Sequence, residues 1–224
     1  PEGSEYGRDQ AGSLNGVMYG ANALLPILLK NPAIASRMQT SFVDAGLEVG
    51  DQAAALGVTT LCDMATGGLS GPAEFESYRQ MHAEGMKARI RAYVYHEKGR
   101  AFDDSGVRPG DGDSFVRVAG WKVVTDGSNQ GYTGRQREPY VGRDDVGIFY
   151  VEPELLRTIV LDRASGGWPL ALHGNGDAAI DSILDAVEHA RDEGLDVRTL
   201  RCRIEHCSIL HDEQIARIKD LGIG

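Results

Sequence analysis

Two histidines close short apolar runs in this chain. His173 follows Trp168 to Leu172, and His206 follows Arg201 to Glu205. They stand 33 residues apart, and the stretch between them carries an apolar helical stripe of Ile180, Ile183, Leu184 and Val187. This pattern predicts two successive parallel strands, each with a histidine at its C-terminal tip. In a β/α barrel the chemistry sits at that end of the strands, so both imidazoles would face one pocket, an arrangement suited to a metal. Lys122 lies one strand earlier, inside the otherwise apolar run from Val118 to Val124. A lysine is almost never fully buried unless paired. It either snorkels out of a sheet edge, forms a Schiff base with a carbonyl substrate, or is carbamylated into a carboxylate-like metal bridge.

Weaker candidates surround this set. His96 ends a strand and could line the same mouth, and Asp126 shares parity with Lys122. Asp126, Gly127 and Ser128 form a turn, with Asp126 and Ser128 placed to contact substrate. Along the last strand, Cys202, Ile204 and His206 should share one face, which leaves Glu205 to pair with Arg201 or Arg203. His82, His189 and His211 fall on or just before helices and should face solvent. The Gly-Asn-Gly-Asp run after His173 is only a weak hint of phosphate binding, because the rest of a dinucleotide fingerprint is missing.

The elements that must position these groups alternate. Strands are expected over 58–63, 87–96, 115–125, 168–174 and 201–206. Helices are expected over 44–56, 72–84, 152–164, 178–193 (N-capped by Asp177) and from Asp212 to Leu221. A new strand should start at the final Gly-Ile-Gly. Residues 1–20, with a glycine every four or five positions, read as a lid-like loop, and 21–42 as a helix interrupted near Pro26. The polar segment 98–115 reads as a surface loop and 126–150 as a long irregular one. Repeated β/α units imply a parallel sheet with right-handed crossovers. The expected fold is α/β, a partial TIM-type barrel of about strands 2 to 6 with the start of strand 7. The N-terminal segment would be 1–44 and the incomplete barrel 45–224.

Composition narrows the partners. The net charge is −10 and no basic stripe appears, so nucleic acid is not an expected partner. The longest apolar stretch, Ala21 to Leu29, contains Asn22 and Pro26 and is far too short to span a bilayer. Three cysteines without CxxC spacing suggest reduced thiols, in keeping with a cytoplasmic protein. A small-molecule substrate and a homo-oligomer are expected. The chain opens at Pro1 rather than methionine, so it is expected to be a segment.

Lysine on one strand, histidine on the next and histidine on the one after resembles the amidohydrolase superfamily. The chain looks most like the amidohydrolase-3 branch, which has N-substituted formamide deformylase-like and YtcJ-like members. The resemblance is carried by Gly57 to Asp63, Gly120 to Ser128, Leu172 to Ala179 and Arg203 to His206. It implies a (β/α)8 barrel holding one or two divalent metals, zinc or similar. Lys122, His173 and His206 then match the ligands of the fourth, fifth and sixth strands. The family's first-strand His-x-His occurs nowhere in the chain, and its eighth-strand aspartate would lie past Gly224. The resemblance implies hydrolysis of amide or other non-peptide C–N bonds by a metal-activated water. With half the ligand set outside the segment, weak or absent metal binding, an uncarbamylated Lys122 and an inactive fragment are expected. Two other readings stay open: a non-catalytic barrel fragment that self-associates through its open sheet edges, and a Schiff-base enzyme built on Lys122.

Overall fold

The computed structural model describes residues 5–19, 21–28, 30–32 and 42–224. The first element is a hairpin of β1 (Glu5–Arg8) and antiparallel β2 (Leu14–Tyr19). The glycine spacing predicted a loop here. A turn forms instead because the Asp9 carboxylate accepts the backbone N–H groups of Ala11 and Ser13, both at 2.9 Å, and Gly12 takes φ +82°. Helix α1 (Ala21–Leu28) runs through the position of Pro26, so no break falls there. The rest of the predicted 21–42 helix lies largely outside the described residues.

From α2 (Phe42–Ala55) onward, strands and helices alternate: β3 (Thr60–Thr66), α3 (Ala73–Ala83), β4 (Arg89–Tyr95), β5 (Val116–Val124), α5 (Pro153–Ser165), β6 (Leu170–Gly174), α6 (Asp177–Asp192), β7 (Arg203–His206) and α7 (Asp212–Leu221). Strands β3 to β7 pair in chain order, all parallel, in a five-stranded sheet curled into a half-barrel. At its far edge, Gly224 donates its N–H to Cys202 and accepts that of Ile204, as the next parallel strand would. Between β4 and β5 the predicted surface loop contains a 3₁₀ turn (His96–Lys98) and a short helix α4 (Gly99–Ser105). Gly99 lies where any Cβ would collide with the Trp121 ring, and Phe102 is fully buried. Packing against the sheet thus overrides the polar composition of this segment.

The two faces of the half-barrel differ. Ile90, Ala92, Val94, Val118, Trp121, Val123, Leu170, Leu172 and Ile204 turn outward and are buried with Leu156, Val160, Ile180, Ile183, Leu184 and Val187 from α5 and α6. Each such aliphatic side chain contributes about 1.5–3 kcal/mol. Arg91, Tyr93, Tyr95, Lys122, His173, Arg203 and Glu205 alternate with them and take the inner face. The expected face of the last strand is therefore reversed: Cys202 and Ile204 are buried in the helix-side core, while Glu205 turns inward beside His173. Two predicted caps also move. Gly176, not Asp177, caps α6, and His211, in a capping box with Gln214, caps α7 one residue before Asp212. Among the described residues no helix is long and apolar enough to cross a membrane.

Candidate functional site

The three strands that carry Lys122, His173 and His206 are neighbours, and their C-terminal ends lie together. Lys122 pairs with Ala171, and His173 with Val124 on one side and Glu205 on the other. Lys122 is 4% exposed. Burial pushes its amine down to about 8, with the Glu205 carboxylate opposing that shift. Glu205 itself forms an ion pair with Arg203.

His206 reaches the site by a route its strand position does not suggest. It pairs with Gly174, which faces the helices. Yet His206 and Cys207 both adopt left-handed backbone, with φ +71° and +51°. Such conformations are costly in non-glycine residues and cluster at functional sites. Here they swing the His206 ring against that of His173, with centroids 4.4 Å apart and planes at 70°.

His173 is held from the opposite side. Its Nε2 lies 2.9 Å from the carbonyl oxygen of Gly127. A carbonyl can only accept, so this contact is a hydrogen bond in the tautomer that carries the proton on Nε2 and leaves the Nδ1 lone pair bare. Burial lowers the basicity of this imidazole, as do the nearby Lys122 and His206, against the opposing pull of the Gly127 carbonyl and the Asp126 carboxylate. The carboxylate of Asp126 lies 3.5 Å from Nε2 and is wholly buried. Its oxygens accept the backbone N–H groups of Arg135 at 2.9 Å, Asn175 at 3.0 Å and Gly176 at 2.9 Å. Burial pulls this carboxyl upward, and those three donors pull it back. Asp126 thus ties the 126–150 loop to the start of α6. That loop is irregular, as the sequence suggested, but well anchored: Asp177 accepts the Arg137 N–H at 2.8 Å, and the Arg137 guanidinium grips Asp181 with two bonds.

The remaining sequence candidates lie elsewhere. His96 accepts the indole N–H of Trp121 at 3.1 Å. Trp121 alternates with Lys122 and packs edge-on against Trp168 under Arg163, so His96 belongs to the helix side and not to the mouth. Ser128 is in the anchored loop, where its hydroxyl accepts the Gly131 N–H at 3.2 Å and shapes a turn. His82 stacks on Phe115 with centroids 3.9 Å apart, half-buried rather than solvent-facing. Sequence reasoning passed over Asn175 and Ser208. The polar Gly-Asn-Gly-Asp run was the available signal, but it read only as a weak hint of phosphate binding.

The matching family model describes the Amidohydrolase family and covers residues 1–224, so this chain belongs to that family. No curated protein matches it. Among solved structures it is similar to an uncharacterized metal-dependent hydrolase from Pyrococcus furiosus, with a TM-score of 0.72 and 22% identity over 96% of this chain and 43% of that one. A second, an uncharacterized metal-dependent hydrolase from Pyrococcus horikoshii OT3, gives a TM-score of 0.71 and 23% identity over 96% of this chain and 41% of that one. At these identities the likeness is one of fold. This chain spans about two fifths of the length of either structure.

Two imidazoles and a buried amine are the right chemistry for part of a metal centre. They do not close one: among the described residues no three His, Cys, Asp or Glu side chains are grouped to hold an ion.

Proposed function

We propose that this chain is the central part of a metal-dependent hydrolase acting on amide or other non-peptide C–N bonds of a small molecule. Lys122, His173 and His206 would supply its share of the metal ligands, Lys122 as a carbamate. The observation that carries this reading is the edge-to-face meeting of His173 and His206 at 4.4 Å, one strand from a buried lysine, in a chain of this family. A divalent ion, zinc or similar, would supply Lewis acidity and a nucleophile at neutral pH. The chain's own residues do the positioning. Gly127 holds the Nε2 proton of His173, which presents Nδ1, and the left-handed turn presents His206. Burial keeps part of the Lys122 amine uncharged near neutral pH, the form that reacts with carbon dioxide.

The test is hydrolysis of a panel of N-formyl and N-acyl amines with added zinc or manganese. In a full-length protein that contains this segment we expect activity that is lost in His173→Ala, His206→Ala and Lys122→Ala, while the segment alone is expected to be inactive. Hydrolysis that survives loss of both histidines overturns the reading. The lowered basicity of Lys122 also supports a second reading, Schiff-base chemistry. Borohydride trapping of a carbonyl substrate on Lys122 would favour it.

A further inference from the structure

We propose that Asn175 is a positioning residue that sets the orientation of both site histidines. This rests on the reading of His173 and His206 as site residues. Asn175 is 7% exposed, and all four of its polar atoms are engaged. Its backbone N–H goes to Asp126 at 3.0 Å. Its side-chain Nδ2 donates to the Gly127 carbonyl at 2.7 Å, the same oxygen that takes the His173 Nε2 proton, and lies 3.1 Å from that nitrogen. Its Oδ1 accepts the Ser208 hydroxyl at 2.7 Å, two residues past His206. Its carbonyl accepts the Asn129 amide at 3.3 Å and the Ile209 N–H at 3.2 Å.

One side chain therefore joins the two turns that carry the histidines. On the first side it fixes the carbonyl that selects the His173 tautomer. On the second it pins the segment that leaves the left-handed turn at His206 and Cys207, next to the bond from the Cys207 N–H to the Gly174 carbonyl at 3.0 Å. A carboxylate at this position would put negative charge against the Gly127 carbonyl and beside Asp126. An aliphatic residue would abandon the Ser208 hydroxyl and half of the Gly127 contacts. The amide here donates to one turn and accepts from the other. Partners that fix the tautomer and orientation of a metal-binding histidine are typically worth about 10–100-fold in metal affinity or activity.

The test is long-range proton–nitrogen correlation of the imidazoles in the labelled chain, comparing the parent with Asn175→Ala and Ser208→Ala at one pH. The parent should show His173 as a single Nε2–H tautomer. Asn175→Ala should lose that single-tautomer pattern and shift His206 as well. Ser208→Ala, a milder change at an exposed residue, should shift His206 and leave the His173 pattern. In a zinc titration or a hydrolysis assay of the full-length protein, Asn175→Ala should lose about 10–100-fold. A folded Asn175→Ala with both histidine patterns unchanged overturns the proposal. If that variant does not fold, an unmoved His206 in Ser208→Ala overturns it instead. A full-length parent without metal affinity or hydrolysis counts against the proposed function, while the tautomer readout still decides the role of Asn175.

Discussion

The rings of His173 and His206 touch edge to face, although their strand positions put them on opposite sides of the sheet. His173 points inward by ordinary alternation. His206 gets there through two consecutive left-handed residues. The backbone at that turn carries the cost of two non-glycine residues held in left-handed conformation.

The cost can be measured. In His206→Ala the left-handed backbone is still imposed on a residue with a Cβ, whereas His206→Gly relieves it. The glycine variant should be the more stable of the two by about 1 kcal/mol, the left-handed penalty less the extra chain entropy of glycine. Both should lose zinc affinity and hydrolysis equally. Urea denaturation measures the difference, and an alanine variant as stable as the glycine one would show no strain.

Lys122 gives a pH signature. Its folded value of about 8 lies below that of a lysine in the unfolded chain. The unfolded state therefore binds more protons between about pH 8 and the ordinary lysine range, and stability rises with pH across that window. Below it the buried charge costs on the order of 2 kcal/mol. Lys122→Met should be more stable than the parent at pH 7 and should lose the alkaline rise. Denaturation midpoints at pH 7 and pH 10 check this, and equal slopes in the two proteins would refute it.

Asp126 should behave as an anchor. Asp126→Ala leaves three backbone donors without their acceptor, at a cost of about 3 kcal/mol. The amides of Arg135, Asn175 and Gly176 should lose hydrogen-exchange protection together, while those of Leu172 and Trp121 keep theirs. Deprotection confined to one of the three would show that the carboxylate does not hold the loop as a unit.

His96 should leave hydrolysis untouched. Burial, and then Arg163, hold its imidazole below the usual value. Stability tied to the neutral ring is present above the unfolded histidine value and is lost as pH falls below it. His96→Gln should flatten that acid limb and change the fluorescence of Trp121, with kcat and KM unchanged. A drop in kcat would return His96 to the mouth of the site.

Much of the barrel was legible in the sequence because its strands are short apolar runs and its helices carry strong stripes, as in Ile180, Ile183, Leu184 and Val187. The face of β7 was not. Arg203 and Glu205 look like an outward-facing charged pair, but the inner face of the half-barrel is itself polar and accommodates them. A histidine at a strand tip was readable, whereas the turn that redirects His206 has no glycine to announce it. Helix α4 hid because it is held by Phe102 and a glycine against Trp121, contacts distant in sequence. Asn175 hid because its partners come from two turns distant in sequence, one around Asp126 to Asn129 and the other around Ser208.

The loop from Asp126 to Tyr150 is fastened to the barrel by the Asp126 carboxylate, the Arg137 guanidinium and several of its own peptide groups. Arg135 and Arg137 offer backbone N–H groups to buried carboxylates, and Gly127 offers a carbonyl. Substitution cannot delete a peptide carbonyl, and only proline removes a peptide N–H. Residues such as Val141, fully exposed at the outer bend, can therefore change without disturbing the fasteners. The rim behaves as an exchangeable cassette on fixed pins. Its exposed outer residues are free to diverge while Asp126 and the histidines beneath it stay in register.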